Sequence, residues 1–465
     1  MLPQSIRDYL LARREEHLAA LKEFLSIPSL VNDAPGSAAA ARQASDWLAG
    51  RLASLGLDSA VLETPGRPVV LALSRPIPGR PTLMIYGHYD VQPSEPLERW
   101  TSPPFRPQVR DGCVYARGAC DDKGQLFAHL MAVEAWQRAG GGLPLNVKFF
   151  IEGQEEIGSP GMESFMADHK DELAADAVVI SDSEFFADGV PSITYALRGL
   201  VLVELTVTGP AHDVHSGIHG GAVSNPVNVL AEMIAGLHDA DGRVTIPGFY
   251  DDVLNLSDQE RREWQALPFD PAAYAASLGV AELGGGERGL AALERRWSRP
   301  TLDCNGIIGG YTGPGGKTII PSRASAKVSM RLVANQNPDK VIEGIASYVR
   351  QHQRPGTVVE FAVLSKSRPV LLDRHSFAMA SAAAAMEEAF GRRPVMIRCG
   401  ASVPVTEIFQ RIFGLDAVLM GLGLPDDNPH APNERFRLEH LWRGSEASAA
   451  LMGNLSAEKV ASRLA

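Results

Sequence analysis

Cysteine is scarce in this chain of 465 residues. The four cysteines are Cys113, Cys120, Cys304 and Cys399, and no two of them form a C-x-x-C pair. Four cysteines in so long a chain do not make a disulfide framework, which excludes the small disulfide-stapled secreted folds. We therefore expect reduced thiols and a cytoplasmic location.

Long apolar runs are also missing, since no stretch is both long enough and apolar enough to cross a bilayer. Charged residues such as Arg7, Arg13 and Glu16 interrupt any signal-peptide core near the start of the chain. The apolar residues there recur at near-helical spacing, which predicts an amphipathic helix that packs on the body of the protein. We expect no membrane partner.

An excess of basic residues is lacking as well. Lys and Arg number 44 against 55 Asp and Glu, so the formal net charge is −11. This balance argues against nucleic acid or an anionic membrane as the main partner, because both attract basic surfaces. Hydrophobic residues make up 45% of the chain, which is enough to bury a large core. The length predicts about two to three domains.

Short apolar segments alternate with helical patterns in the first part of the chain. Strands are predicted at 69–73, 82–86, 145–151 and 177–180, and helices at 125–136 and 162–166. This alternation predicts an α/β fold whose sheet is sandwiched by helices. The pattern resumes after Pro369, with a helix that ends at Phe390, a strand at 416–420 and a final helix from Leu438.

The pattern changes near Gly199. Longer strands are predicted at 201–208, 326–333 and 357–364, separated by helices at 225–237 and 338–350. This β-α-β-α-β order predicts a smaller α+β domain inserted into the first. The predicted boundaries are 1–198 and 369–465 for the larger domain and 199–368 for the inserted one, with an excursion of little periodicity at about 242–300.

Five short clusters of metal-ligand residues lie between Gly87 and His430, and three of them directly follow predicted strands. Their acidic and imidazole members are His88 and Asp90, Asp121 and Asp122, Glu155 and Glu156, Asp182 and Glu184, and His430. Taken singly, each cluster has an ordinary structural explanation. His88 and Asp90 fit a histidine and an aspartate in a surface turn. They equally fit a metal-binding histidine whose second ring nitrogen donates to the aspartate carboxylate.

The remaining clusters are equally ambiguous one at a time. For Asp121 and Asp122, which precede a predicted helix, the pair alone favours an N-cap. Glu155 and Glu156 fit a solvated acidic turn, or a metal ligand beside a base that takes a proton from water. Asp182 follows a buried strand, where α/β proteins bind ligands, and Glu184 competes for its role. A lone loop histidine such as His430 is usually a surface residue.

Together the clusters supply enough ligands for two tetrahedral-like metal sites that share one bridging carboxylate. The candidate ligands are His88, Asp121, Glu156, Asp182 and His430. Glu155 is left over as a base. Histidine and carboxylate ligands predict two divalent ions, zinc first, although manganese and cobalt share these preferences.

Four segments resemble the signatures of the cocatalytic di-metal peptidase family. They are 87–93, 117–124, 152–159 and 430–434. This family includes carnosinase, cytosolic nonspecific dipeptidase, aminoacylase and succinyl-diaminopimelate desuccinylase, and the chain is most similar to its dipeptidase branch. The resemblance spans nearly the whole chain. It implies a catalytic domain of the zinc-peptidase type, built on a mixed sheet, with an inserted lid and dimerisation domain.

The family resemblance implies a role for each residue of the clusters. His88 and Asp182 would hold one ion, Glu156 and His430 the other, and Asp121 would bridge the two ions. A cis peptide bond would join Asp121 to Asp122. Glu155 would be the general base, and Asp90 would support His88.

The resemblance extends to the inserted domain. Segment 213–217 matches a lid motif whose histidine, here His215, reaches the active site of the other subunit and polarises the scissile carbonyl, which implies a homodimer. Arg331 matches a lid arginine that binds the substrate carboxylate. Gly400 and Ser402 match a substrate-contacting turn. Ala401 stands between them where the family has glycine, and it would be strained if the position needs a positive φ.

The predicted function is two-metal hydrolysis of the amide bond of dipeptides or small peptides. A metal-bridged hydroxide would be the nucleophile and Glu155 the general base. The alternative within the family is an N-acyl amino acid deacylase, either a deacetylase or a desuccinylase, with the same mechanism. A non-catalytic binding protein on the same scaffold is the hypothesis from another class.

Overall fold

The computed structural model describes residues 1–32, 34–401 and 403–457. The helices are α1 Gln4–Ala12, α2 Arg14–Leu25, α3 Ser37–Ser54, α4 Lys123–Ala139, α5 Met162–Asp168, α6 Ser216–His219, α7 Pro226–Ala235, α8 Asp258–Gln265, α9 Pro271–Ser277, α10 Ala292–Trp297, α11 Pro338–His352, α12 Phe377–Phe390, α13 Pro404–Ile408 and α14 Leu438–Leu455.

The strands are β1 Asp58–Leu62, β2 Val69–Leu73, β3 Thr82–His88, β4 Gln108–Arg110, β5 Cys113–Tyr115, β6 Asn146–Glu152, β7 Ala177–Ile180, β8 Ser192–Leu197, β9 Gly199–Thr208, β10 Val214–His215, β11 Thr301–Gly309, β12 Ile319–Ile320, β13 Arg323–Leu332, β14 Val358–Ser367, β15 Val370–Leu371, β16 Val395–Cys399, β17 Ala417–Leu419 and β18 Arg435–Arg437. Single turns of 3₁₀ helix occur at Leu97–Arg99 and Glu155–Ile157.

The chain divides into two compact units. The first unit contains Met1–Tyr195, Leu372–Ile397 and the described residues from Val403 onward. The second unit contains Ala196–Leu371 and the described residues of 398–402.

A mixed sheet organises the first unit, and its strands run in the order β1-β2-β6-β3-β7-β17-β8. β6, β3, β7 and β17 are parallel to one another, whereas β1, β2 and β8 pair in antiparallel fashion. All four residues of β7 are buried, as expected for a strand covered on both faces. The predicted α/β fold with a helix-covered sheet is confirmed.

The parallel direction of these four strands positions the predicted site. Their carboxyl ends lie at one edge of the sheet, because hydrogen-bonded parallel strands end on the same side. His88 is the last residue of β3, and Asp182 follows the end of β7. Glu155 and Glu156 lie just beyond β6, and the loop after β17 carries His430.

The second unit is built on a four-stranded antiparallel sheet of order β11-β13-β9-β14. Alternate residues of β9 and β13 are buried, and they pack with α7 and α11 in a separate core. Both helices begin with an asparagine cap followed by proline, Asn225-Pro226 and Asn337-Pro338.

Two of the differences from the sequence-based expectation concern the start of the chain and the second unit. The start of the chain forms two helices, α1 and α2, which meet at Arg13, instead of one. In the second unit, β11 adds a strand to the predicted β-α-β-α-β order, and α8, α9 and α10 lie within the excursion of little periodicity. Among the described residues, none of the helices combines the length and apolar character needed to cross a membrane.

Candidate active site

His88 lies at the end of β3 with its ring buried. Its Nδ1 is 3.0 Å from the Asp90 carbonyl oxygen and 3.3 Å from the Asp90 carboxylate. A proton on Nδ1 satisfies these acceptors and leaves Nε2 with a lone pair. In the described part of the chain, no hydrogen-bond partner is aligned with this buried Nε2. A metal ion is the partner that such a lone pair suits.

Asp121 lies at the centre of the cluster, and its two carboxylate oxygens face different histidines. Oδ1 is 3.1 Å from His88 Nε2, and Oδ2 is 2.9 Å from His430 Nε2. Asp182 completes the first trio, with Oδ2 3.8 Å from His88 Nε2. Glu156 completes the second, with Oε2 3.1 Å from His430 Nε2. Asp121 is therefore shared by two trios.

The spacing within each trio fits a bound cation. The candidate ligand atoms of each trio all lie within 4.8 Å of one another. Ligands that are about 2.0–2.2 Å from a tetrahedral zinc ion are roughly 3.3–3.6 Å apart. The pairwise distances given above lie around this value. Asp182, and not its competitor Glu184, belongs to the first trio.

The charges at the site also call for cations. Hydrogen bonds with Asp121 and Glu156 raise the pKa of His430 to about 10. Burial, followed by the charge of Asp121, raises the pKa of Asp182 to about 7. Burial likewise raises the pKa of Glu155 well above its ordinary value, and neighbouring carboxylates add to the effect. Carboxylates that repel in this way are stabilised by divalent cations.

Glu155 lies on the 3₁₀ turn that follows β6. The backbone N–H groups of Glu155 and Glu156 donate to the two carboxylate oxygens of Asp90, over 3.3 and 3.1 Å. Asp90 therefore contacts His88 as well as the turn that carries the predicted base. Among the described residues, nothing forms a hydrogen bond with the Glu155 carboxylate, so this group is available to accept a proton.

The N-cap explanation for Asp121 and Asp122 is wrong. Asp122 occupies the N-cap position of α4, yet its side chain makes no capping hydrogen bond. Its Oδ2 accepts instead from the backbone N–H of His88 over 3.2 Å. The peptide bond between Asp121 and Asp122 is cis, as the family resemblance implied.

His430 occupies a constrained loop. Its φ is 60°, and φ of the nearby Asn433 is 64°, in the left-handed region that non-glycine residues rarely adopt. The Asn433 side chain ties this loop to the backbone of Thr101 and Arg99. The His430 side chain is 54% exposed, but its Nε2 lies between two carboxylates, so the surface explanation does not describe it. Strain of this kind is typical of functional sites.

The predicted lid residues belong to the second unit. His215 is exposed, its Nδ1 accepts from the Gly217 N–H over 3.0 Å, and its Nε2 is 3.5 Å from Thr318 Oγ1. Arg331 lies on β13, directly opposite Thr301 of β11. No carboxylate of the described chain forms an ion pair with Arg331.

The predicted substrate turn is described in part. The Gly400 carbonyl accepts from Arg198 Nε over 3.2 Å. Ala401 does not have a positive φ, so the strain considered for this position is absent there. Ser402 lies outside the described residues.

Comparison with known proteins decides the family. Residues 84–454 match the family model described as Peptidase family M20/M25/M40. The chain belongs to this peptidase family. It is 31% identical to the Beta-Ala-His dipeptidase of Homo sapiens, over 97% of this chain and 92% of that protein. It is 32% identical to a Cys-Gly metallodipeptidase of Schizosaccharomyces pombe, over 82% of this chain and 81% of the relative.

A solved structure supports the same assignment. The M20 family metallo-carboxypeptidase of Sulfolobus solfataricus has a TM-score of 0.84 and 33% identity, and covers 95% of this chain and 99% of that one. The family resemblance seen in the sequence is confirmed, and the M20 protein is a hydrolase. This goes against the hypothesis of a non-catalytic binding protein.

Two further residues of this M20 peptidase support the site. The buried Glu434 carboxylate accepts from the Arg117 guanidinium over 2.7 Å and from the backbone N–H groups of Gly118, Cys120 and Asp121 over 3.0, 2.9 and 3.1 Å. Gln92 Nε2 donates to Glu156 Oε2 over 2.9 Å. Neither contact was predictable from local sequence patterns, because in each contact the two residues are far apart along the chain.

Replacing Glu434 by alanine is expected to lower the free energy of unfolding by about 3–5 kcal/mol, because it leaves the buried Arg117 charge and three backbone N–H groups without their acceptor. Urea denaturation followed by circular dichroism measures the change. Glu439→Ala is the matched control, since this exposed α14 residue forms a surface ion pair with Arg443. Equal losses in the two variants would contradict the supporting role of Glu434.

Proposed function

We propose that this M20 peptidase hydrolyses the peptide bond of dipeptides with the help of two divalent cations. One observation carries the proposal: two trios of ligand atoms share Asp121, and each oxygen of this aspartate faces a different histidine. A shared carboxylate of this kind suits two adjacent ions.

The residues of the first unit divide between the two ions. His88 and Asp182 would hold one ion, Glu156 and His430 the other, and Asp121 would bridge them. We propose zinc, and the same nitrogen and oxygen ligands also suit manganese and cobalt. Such ions, when bound, acidify a water molecule and polarise a carbonyl group.

Glu155 moves the proton in the proposed reaction. Its carboxylate accepts a proton from the attacking water and later delivers this proton to the nitrogen of the leaving amine, which regenerates the carboxylate. Asp90 holds the backbone of Glu155 and accepts from the His88 ring, so the base and a ligand share one support. This arrangement fixes the base without consuming its hydrogen-bonding capacity.

Residues of the second unit are proposed to recognise the substrate. Arg331 is a half-buried guanidinium without a carboxylate partner in the described chain, and its fork suits a substrate carboxylate. The exposed His215 ring is available to another chain, which supports a homodimer in which the partner subunit supplies this histidine to polarise the carbonyl. Gly400 and Ser402 are proposed to contact the substrate backbone.

The dipeptidase assignment predicts a clear substrate preference. The metal-loaded protein is expected to hydrolyse Ala-Gln, Cys-Gly or β-Ala-His in preference to N-acetyl and N-succinyl amino acids, in line with the relatives that are dipeptidases. Release of free amino groups, measured with zinc and with manganese, tests this expectation. Turnover of acylated amino acids alone would overturn the proposal in favour of a deacylase.

A further inference from the structure

A cavity of about 450 Å³ opens within the second unit, a size typical of small-molecule sites. Three arginines line it: Arg198, Arg295 and Arg296. Two acidic residues, Glu282 and Asp303, also line it, but both are exposed. Water therefore screens the acids more than it screens Arg198, which is half-buried.

Arg198 is held in place by neutral oxygen atoms. Its backbone N–H donates to the Ala401 carbonyl over 3.2 Å, and its Nε donates to the Gly400 carbonyl over 3.2 Å. Its Nη1 is 3.4 Å from Thr301 Oγ1. A guanidinium has five N–H donors, so these contacts leave others unused. In the described chain, no carboxylate lies within ion-pair distance of Arg198.

Strand pairing brings Arg198 close to Arg331. Thr301 on β11, which Arg198 contacts, is the direct partner of Arg331 on β13. Directly paired residues project from the same face of a sheet, about 4.5–5.5 Å apart. Burial, and next the repulsion from Arg331, lower the pKa of Arg198 to about 10. Two guanidinium groups therefore lie side by side, and the charge of Asp303, an exposed residue two positions along β11 from Thr301, offsets Arg198 only across solvent.

The two guanidinium groups of Arg198 and Arg331 suit a ligand with two negatively charged groups. A half-buried guanidinium without a carboxylate in direct contact is costly, and a bidentate carboxylate is the partner it fits best. A dipeptide with a neutral side chain at its second residue offers only one carboxylate, which the proposed function assigns to Arg331. An acidic side chain offers the second carboxylate, and the cavity beside Arg198 has room for it.

We propose that the cavity beside Arg198 binds the side-chain carboxylate of a C-terminal acidic residue, so that dipeptides ending in glutamate or aspartate are preferred substrates. The main-chain carboxylate of the same residue binds Arg331. This inference rests on the proposed function, because it assigns the substrate class of the same reaction. Thr301 and Gly400 orient the Arg198 fork toward the ligand.

The substrate pair Ala-Glu and Ala-Gln tests the proposal, since the two differ in charge but hardly in shape. The protein is expected to show a kcat/KM for Ala-Glu about tenfold or more above that for Ala-Gln, the effect of one charge-assisted hydrogen bond. Arg198→Gln should bring this ratio close to one. Arg198→Lys should give an intermediate ratio, because it keeps the charge but loses the fork. Arg350→Gln, an exposed substitution at the end of α11, should leave the ratio unchanged from that of the unsubstituted protein.

A binding measurement separates this inference from the proposed function. Calorimetric titration of the metal-loaded protein with L-glutamate and with L-glutamine needs no turnover. The cavity assignment is supported if glutamate binds more tightly than glutamine and Arg198→Gln abolishes this difference. This outcome holds even if neither dipeptide is hydrolysed and the proposed function fails. Equal binding of the two amino acids, or a preference for glutamate that persists in Arg198→Gln, overturns it, even if both dipeptides are hydrolysed. Arg296→Gln changes a second, exposed residue of the cavity and should also weaken glutamate binding. The test therefore does not depend on the correct folding of the Arg198 variants alone.

Discussion

Glu155→Gln is expected to lower kcat by about 10²–10⁴-fold, the usual contribution of a general base, while metal binding is retained. The amide has the shape of the carboxylate but cannot accept the proton of the attacking water. The backbone N–H of residue 155 still donates to Asp90, so the turn and the neighbouring candidate ligand Glu156 keep their positions. Steady-state turnover of a dipeptide and elemental analysis of the purified protein measure the two effects.

The matched control for this variant is Glu23→Gln, which makes the same chemical change at an exposed position on α2. It should turn over dipeptides like the unsubstituted protein. Full activity of Glu155→Gln would show that another group accepts the proton. Loss of metal together with activity would show that Glu155 is a ligand instead of a base.

Asp121→Ala is expected to remove both ions. Each carboxylate oxygen of Asp121 belongs to a different trio, so one substitution takes a ligand from both sites. Loss of a residue that only supports a ligand costs about 10–100-fold in metal affinity, and loss of a shared ligand should cost more at each site. Turnover should fall to background, because the proposed reaction needs the acidified water. Elemental analysis gives the number of ions per chain.

Three further variants show whether the number of ions per chain follows the assignment of the ligands. Asp182→Ala and His430→Ala each remove a ligand from one trio and should leave the other ion in place. Glu184→Ala should leave both ions, since Glu184 belongs to neither trio. Retention of two ions by Asp121→Ala would refute the bridging role, and loss of one by Glu184→Ala would refute the choice of Asp182.

Much of the fold was predictable because the relevant signals are local. β3, β6 and β7 are apolar runs that parallel, buried strands require, and their observed bounds lie close to the predicted ones. β11 was not foreseen, because most of its residues are exposed and its sequence contains glycine, aspartate and asparagine. β11 forms a strand because it pairs with β13, and this contact between distant segments leaves no local pattern in the sequence.

The candidate site divides in the same way. Ligand types at strand ends were visible in the sequence, and the structure brings His88, Asp121, Asp182, Glu156 and His430 together. The predicted N-cap role of Asp122 was wrong, because its carboxylate accepts a hydrogen bond from the His88 backbone N–H and caps no helix N–H group. Glu434 went unassigned, since its partners lie more than 300 residues earlier in the chain, as with Cys120 at a separation of 314.

The sequence by itself determined the supply of acids and imidazoles, their position after buried strands, and therefore the family and its hydrolytic chemistry. Only the tertiary structure decided which oxygen of Asp121 faces which histidine, and that Gln92 and Glu434 support the candidate ligands. The physical reason is the range of the interactions. Propensity and hydrophobic periodicity act over a few residues, whereas parallel strand pairing gathers residues from distant segments at one sheet edge, and their mutual distances follow from packing alone.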